Sequence, residues 1–108
     1  MHAALWKFGG DPDDLLARYD ALMAEIGAAA MQLHVCLRAG DGIVLLDSYP
    51  SEAAYAAFMA GDGFRMLRER HGLPEPEQVD GFAVHVAYAG GATLHTEGPP
   101  PIRADPTP

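Results

Sequence analysis

The sequence predicts an α+β domain with element order βαββαβ, on three observations. Hydrophobic periodicity switches between two residues and about 3.6 residues in that order. Glycine, proline and capping residues stand at each switch. Composition changes abruptly after Tyr88, where Ala89 to Pro108 holds five of the nine prolines and three of the twelve glycines but only Leu94 and Ile102 as large aliphatic residues.

The first strand is His2 to Phe8, mixed aromatic and aliphatic, closed by Gly9-Gly10. Asp11 is a good N-cap type, Pro12 suits the first helical position, and Asp13 and Asp14 stand where the helix dipole favours negative charge. Leu15, Leu16, Tyr19, Leu22, Met23 and Ile26 then lay one apolar stripe along a helix that fades over Gly27 to Ala30. Between Met31 and Arg38, Met31, Leu33, Val35 and Leu37 alternate with Gln32, His34, Cys36 and Arg38, the pattern of a half-buried strand. Ala39-Gly40-Asp41-Gly42 supplies hairpin turn chemistry, and Ile43 to Tyr49 is the returning strand, stopped by Pro50. Ser51 caps a second helix through Tyr55 and Phe58, which Gly61-Asp62-Gly63 interrupts before Phe64, Met66 and Leu67 resume it. His71 ends that helix, where the dipole favours a cation. A last strand is expected from Gly81 to Tyr88, with Phe82, Val84, Val86 and Tyr88 alternating with Ala83, His85 and Ala87.

This order is the split βαβ pattern of a ferredoxin-like fold, a four-stranded antiparallel sheet with its helices on one face. The other face, carrying residues such as Val44, Leu46, Ala83 and Ala87, has no cover within the chain, and monomers rarely leave such a patch open. The expectation is a homodimer of ferredoxin-like domains (residues 1–88), each followed by a flexible Pro/Gly-rich tail (residues 89–108).

A formal net charge of −8 and the lack of any Lys/Arg cluster remove the electrostatic drive for nucleic acids and for anionic lipid. No apolar run approaches the roughly 20 residues of a membrane helix, and no basic segment precedes an apolar one as in a signal peptide, so a soluble, cytoplasmic protein is expected. The single cysteine, Cys36, has no internal disulfide partner. The five histidines show no H-x-x-x-H spacing and Gly9-Gly10 lacks the further glycines of a dinucleotide fingerprint, so neither a metal nor a nucleotide cofactor is expected.

Chemistry falls to a few side chains. His34 and His85 lie on strands that otherwise read apolar, and a histidine there is suited to act as a general base near neutral pH. Each is also explained as a hydrogen-bonded core or interface residue. As the second and fourth strands are opposite edges of the sheet, about three spacings of roughly 4.8 Å separate the two within a subunit. Asp47 follows an apolar run and is placed either to bond a helix terminus or to orient a histidine; Arg38, at the other end of the hairpin, is read as solvated. Trp6 and Phe8 share a face of the first strand, with Tyr49, Tyr55, Phe58, Phe64, Phe82 and Tyr88 joining them against the helices. That set is ordinary core or the lining of a cavity for a planar apolar ligand, entered at the Gly61-Asp62-Gly63 break.

The element order, the Asp11-Pro12 helix start, the strand Gly42 to Asp47 and the run Ser51-Glu52-Ala53-Ala54-Tyr55-Ala56-Ala57-Phe58 together resemble the antibiotic-biosynthesis-monooxygenase-like branch of the dimeric α/β barrel superfamily over Met1 to Tyr88. Leu33-His34-Val35, Asp41-Gly42-Ile43, Gly72-Leu73-Pro74-Glu75-Pro76 and Val84-His85 are similar to an uncharacterised small-protein branch within it. The resemblance implies a dimeric barrel with a pocket between sheet and helices, in which an activated phenolic substrate meets dioxygen. It also implies that edge strands of two subunits approach, bringing His34 near His85 of the partner subunit. The sequence contains no Asn, so the Asn roles of such enzymes do not transfer, and Tyr49 stands where Trp is common before the second helix. The resulting expectation is a small cofactor-independent enzyme acting on an aromatic or polyketide-like molecule by proton abstraction, then oxygenation or rearrangement. His34 or His85 is the base, Asp47 and Tyr49 orient, and Trp6, Phe8, Tyr55, Phe58 and Phe64 contact the substrate. The competing expectation is a non-catalytic ligand-binding or interaction protein of the same fold.

Overall fold

A computed structural model describes residues 1–27 and 31–94. Its elements are β1 (His2–Gly9), α1 (Pro12–Ile26), β2 (His34–Ala39), β3 (Gly42–Tyr49), α2 (Glu52–Ala60), α3 (Gly63–Arg70), β4 (Gln78–Ala83) and a short ribbon of β5 (Tyr88–Ala89) and β6 (Ala92–Thr93). The main sheet is antiparallel with strand order β2-β3-β1-β4. That is an α+β architecture compatible with a ferredoxin-like fold. No helix among the described residues is long and apolar enough to cross a membrane.

Local chemistry explains the helix boundaries. The Asp11 carboxylate accepts from the Asp14 backbone N–H at 3.2 Å, and the Ser51 hydroxyl accepts from the Ala54 N–H at 3.1 Å, each satisfying one donor that the first turn leaves orphaned. Gly61 closes α2 and α3 restarts at Gly63, so the interrupted second helix is two short helices. His71 caps α3 and places its ring nitrogen 3.1 Å from Glu25, fastening α3 to α1. Arg38, expected to be solvated, instead forms an exposed ion pair with Asp13 at 2.8 Å.

The faces of the sheet follow from register. Ala4, Trp6 and Phe8 of β1 point to the helices beside Ile43 and Leu45 of β3, and together with Leu15, Leu22 and Leu73 they make the buried core. Phe8 and Ile43 are fully buried partners across the β1–β3 pair. At the hairpin end the two chains approach so closely that a Cβ on Gly42 would lie 1.9 Å from the Phe8 carbonyl oxygen, which fixes that position as glycine. The opposite face carries cross-strand rows Val35–Leu46–Leu5 and Leu37–Val44–Lys7, with Phe82 beside Ala3. Leu5, Val35, Leu37 and Phe82 are exposed there, so the apolar uncovered face foreseen for Val44 and Leu46 is present and extends further than those two residues.

The last strand differs from the expectation. β4 runs from Gln78 to Ala83, because its partner β1 begins at His2, opposite Ala83, and beyond that point no strand among the described residues remains to pair with. One further bond, Val84 N–H to the Met1 carbonyl at 2.9 Å, ends the ladder. Consequently Ala83 faces the helix side opposite His2, Phe82 lies 56% exposed on the open face, Tyr88 is 67% exposed, and neither aromatic joins the core. Ala87 lies off the main sheet, its carbonyl accepting from Leu94 N–H at 2.7 Å beside the β5–β6 ribbon. Regular structure thus extends past residue 88, while the part of the expected tail beyond Leu94 lies outside the described residues.

Candidate functional site

His34 opens β2, and its direct cross-strand partner is Asp47 near the end of β3, so both side chains project from the same face toward the helices. The His34 Nδ1 is hydrogen-bonded to the Asp47 carboxylate. An ionised carboxylate only accepts, so Nδ1 carries the proton and Nε2 is left with its lone pair outward. Nε2 lies 2.5 Å from the Tyr19 hydroxyl, which donates to it, and the two rings run nearly parallel at 5°. Tyr19 arrives from the apolar stripe of α1, between buried Leu15 and Leu22. The result is a linear chain, Asp47 to His34 to Tyr19, with the His34 and Asp47 side chains only 12% and 15% exposed.

All three residues line a cavity of about 540 Å³ between sheet and helices. Apart from Ser48 and Tyr49, its other walls are apolar, among them Leu22, Met23 and Ile26 of α1, Leu45 of β3, Phe58 of α2, and Phe64 and Leu67 of α3. The size lies within the usual range for small-molecule sites, and an apolar enclosure with few convergent polar groups is their common composition. Ser48, which also lines it, is occupied in structure: its hydroxyl accepts from Leu33 N–H at 2.9 Å and its own N–H donates to the Leu33 carbonyl at 3.0 Å, pinning the entry to β2.

The surroundings set the phenols. Burial, reinforced by the charges of Cys36, Asp47 and Asp20, pushes the Tyr19 hydroxyl up to about 12, so it stays a proton donor at neutral pH. Tyr49, also lining the cavity, is raised as well, first by burial and then by Asp47 and Tyr55. The Trp6 indole N–H works in the opposite direction on Tyr49 without reaching hydrogen-bond geometry, and among the described residues that buried N–H has no bonded partner. Burial raises the Cys36 thiol, with Asp20 adding to the effect, which leaves it a poor nucleophile.

The remaining expected residues distribute differently. Phe58 and Phe64 line the cavity. Trp6 packs against them, 4.9 Å from Phe64 and edge-on to Phe58, but faces a second, smaller cavity. Phe8 is fully buried core away from both cavities, and Tyr55 packs between His2 and Tyr49 over Gly81. His85 sits exposed in a bend beyond β4 and lines neither cavity, so within the chain the structure does not bring it to His34. Tyr19 was not singled out from the sequence, where an aromatic in a helical stripe looks like core. Among the described residues no group of three or more His, Cys, Asp and Glu side chains could hold a metal ion. No family model matches the chain, and no curated protein matches it.

Proposed function

We propose that this chain is a small cofactor-independent enzyme of the monooxygenase-like dimeric barrel type, removing a proton from an aromatic or polyketide-like molecule held in the larger cavity. The Asp47–His34–Tyr19 chain ending in an apolar enclosure is the observation that carries this reading. An acidic C–H or O–H of the bound molecule gives its proton to the Tyr19 oxygen while the Tyr19 proton passes to His34 Nε2. The Asp47 carboxylate steadies the imidazolium that results, and Tyr49 supplies a further hydrogen bond to the substrate. The electron-rich anion left in the cavity then reacts with dioxygen or rearranges. Phe58, Phe64 and the α1 stripe provide the apolar contact. The uncovered sheet face supports a homodimer as the working form.

The test is dioxygen uptake and product analysis with a panel of anthrones, hydroquinones and β-diketones. Turnover of a panel member that is lost in His34→Gln supports the proposal. Ligand binding without any consumption would replace it with a non-catalytic binding protein.

A further inference from the structure

Arg68 is buried to 7% exposure, yet among the described residues it has no carboxylate within ion-pair distance. Its Nη1 donates to the Leu73 carbonyl at 3.2 Å, while its own carbonyl accepts from Leu73 N–H at 2.9 Å, which fixes the side chain at the end of α3. A guanidinium presents several donors in a rigid fork, and one backbone carbonyl satisfies little of it. Burying a cation without a counter-charge is costly, so such a group is expected to meet an anion.

Arg68 lines the second cavity, about 350 Å³, together with Trp6, Phe58, Phe64, Pro76 and Val79. Arg68 is thus the one buried charge among the residues that line this cavity; Asp62, Arg65 and Glu75, which also line it, are exposed. The carboxylates that also line it are disposed otherwise: Asp62 lies 3.5 Å from Arg65, and Glu75 is exposed. We propose that this cavity binds a small aromatic monocarboxylate, its carboxylate on Arg68 and its ring against Trp6 and Phe64. The site is separate from the one holding His34, although Phe58, Phe64 and Gly61 form walls of both.

Calorimetric titration with benzoate and with its neutral isostere benzamide tests this on the full chain. Benzoate is expected to bind at least about tenfold more tightly than benzamide, the discrimination of a charge-assisted hydrogen bond. Arg68→Met is expected to abolish that preference, and Glu75→Gln, which removes a like charge from the rim without touching the core, to tighten benzoate binding. In nitrogen-15 NMR spectra the Arg68 Nε–H and Trp6 indole signals are expected to shift on titration. Equal affinity for benzamide, no binding of benzoate, or a loss caused by His34→Gln and not by Arg68→Met each overturns the proposal. If Arg68→Met fails to fold, Glu75→Gln decides: tighter binding supports the site, and unchanged or weaker binding overturns it.

Discussion

His34 and Asp47 are direct cross-strand partners, and the hydrogen bond between the Nδ1 of one and the carboxylate of the other is made by strand pairing itself. Neither needs a loop to bring it into place. A site built on paired strands is held more firmly than one on a mobile connection.

If the pair acts as base and orienting group, His34→Gln and Asp47→Asn each lower turnover by about 10²- to 10⁴-fold. The double variant loses little more than the worse single one, since the two act as a unit. Steady-state kinetics beside far-ultraviolet circular dichroism checks this. Equal losses of activity and of folded protein would mark the pair as structural.

Tyr19 makes alkaline stability informative. Its folded value of about 12 stands above the ordinary 10.0, so between these values the unfolded chain releases a proton that the folded chain retains. The contribution is full below about pH 10 and is lost as pH rises through about 12. Spectrophotometric titration should show phenols ionising late, with Tyr19→Phe removing part of the late phase. Denaturant midpoints should fall across the same window in wild type and less steeply in Tyr19→Phe.

The uncovered face predicts a dimer. Leu5→Glu and Leu37→Glu place charges in its apolar rows and should weaken association by at least about 100-fold, the scale of losing an interface hot spot. Sedimentation equilibrium reads the outcome directly. A wild-type monomer of 11.5 kDa at micromolar concentration would remove the barrel from the proposal.

Among the described residues the β5–β6 ribbon pairs only with itself, and it carries Tyr88 largely in solvent, so it adds little to the core. A chain ending at Ala87 should keep its melting temperature within a few degrees. A larger fall would show that the segment after Ala87 packs on the domain or on a second copy.

Much of this was legible locally. Asp11 and Ser51 announced their helices because a cap acts within three residues, and the Gly40–Asp41 loop fixes the hairpin register by counting outward to His34 and Asp47. The last strand was misplaced because its end is set by where β1 begins, which the alternation of Phe82, Val84 and Val86 does not contain. Tyr19 escaped notice for a related reason. Its hydroxyl gains a partner only when α1 crosses β2, and nothing along the helix marks one aromatic of an apolar stripe as polar in use.

The two-residue link between β2 and β3 has a consequence for how this chain tolerates insertions and deletions. Side chains alternate along a strand, so inserting or deleting one residue there and shifting the pairing by one would send His34 to the uncovered face and turn Val35 inward. Substitutions within Gly40–Asp41 keep the count and preserve the His34–Asp47 partnership. Length is therefore the constrained property of this turn and composition the freer one, up to Gly42, where the nearby Phe8 carbonyl leaves no room for a side chain.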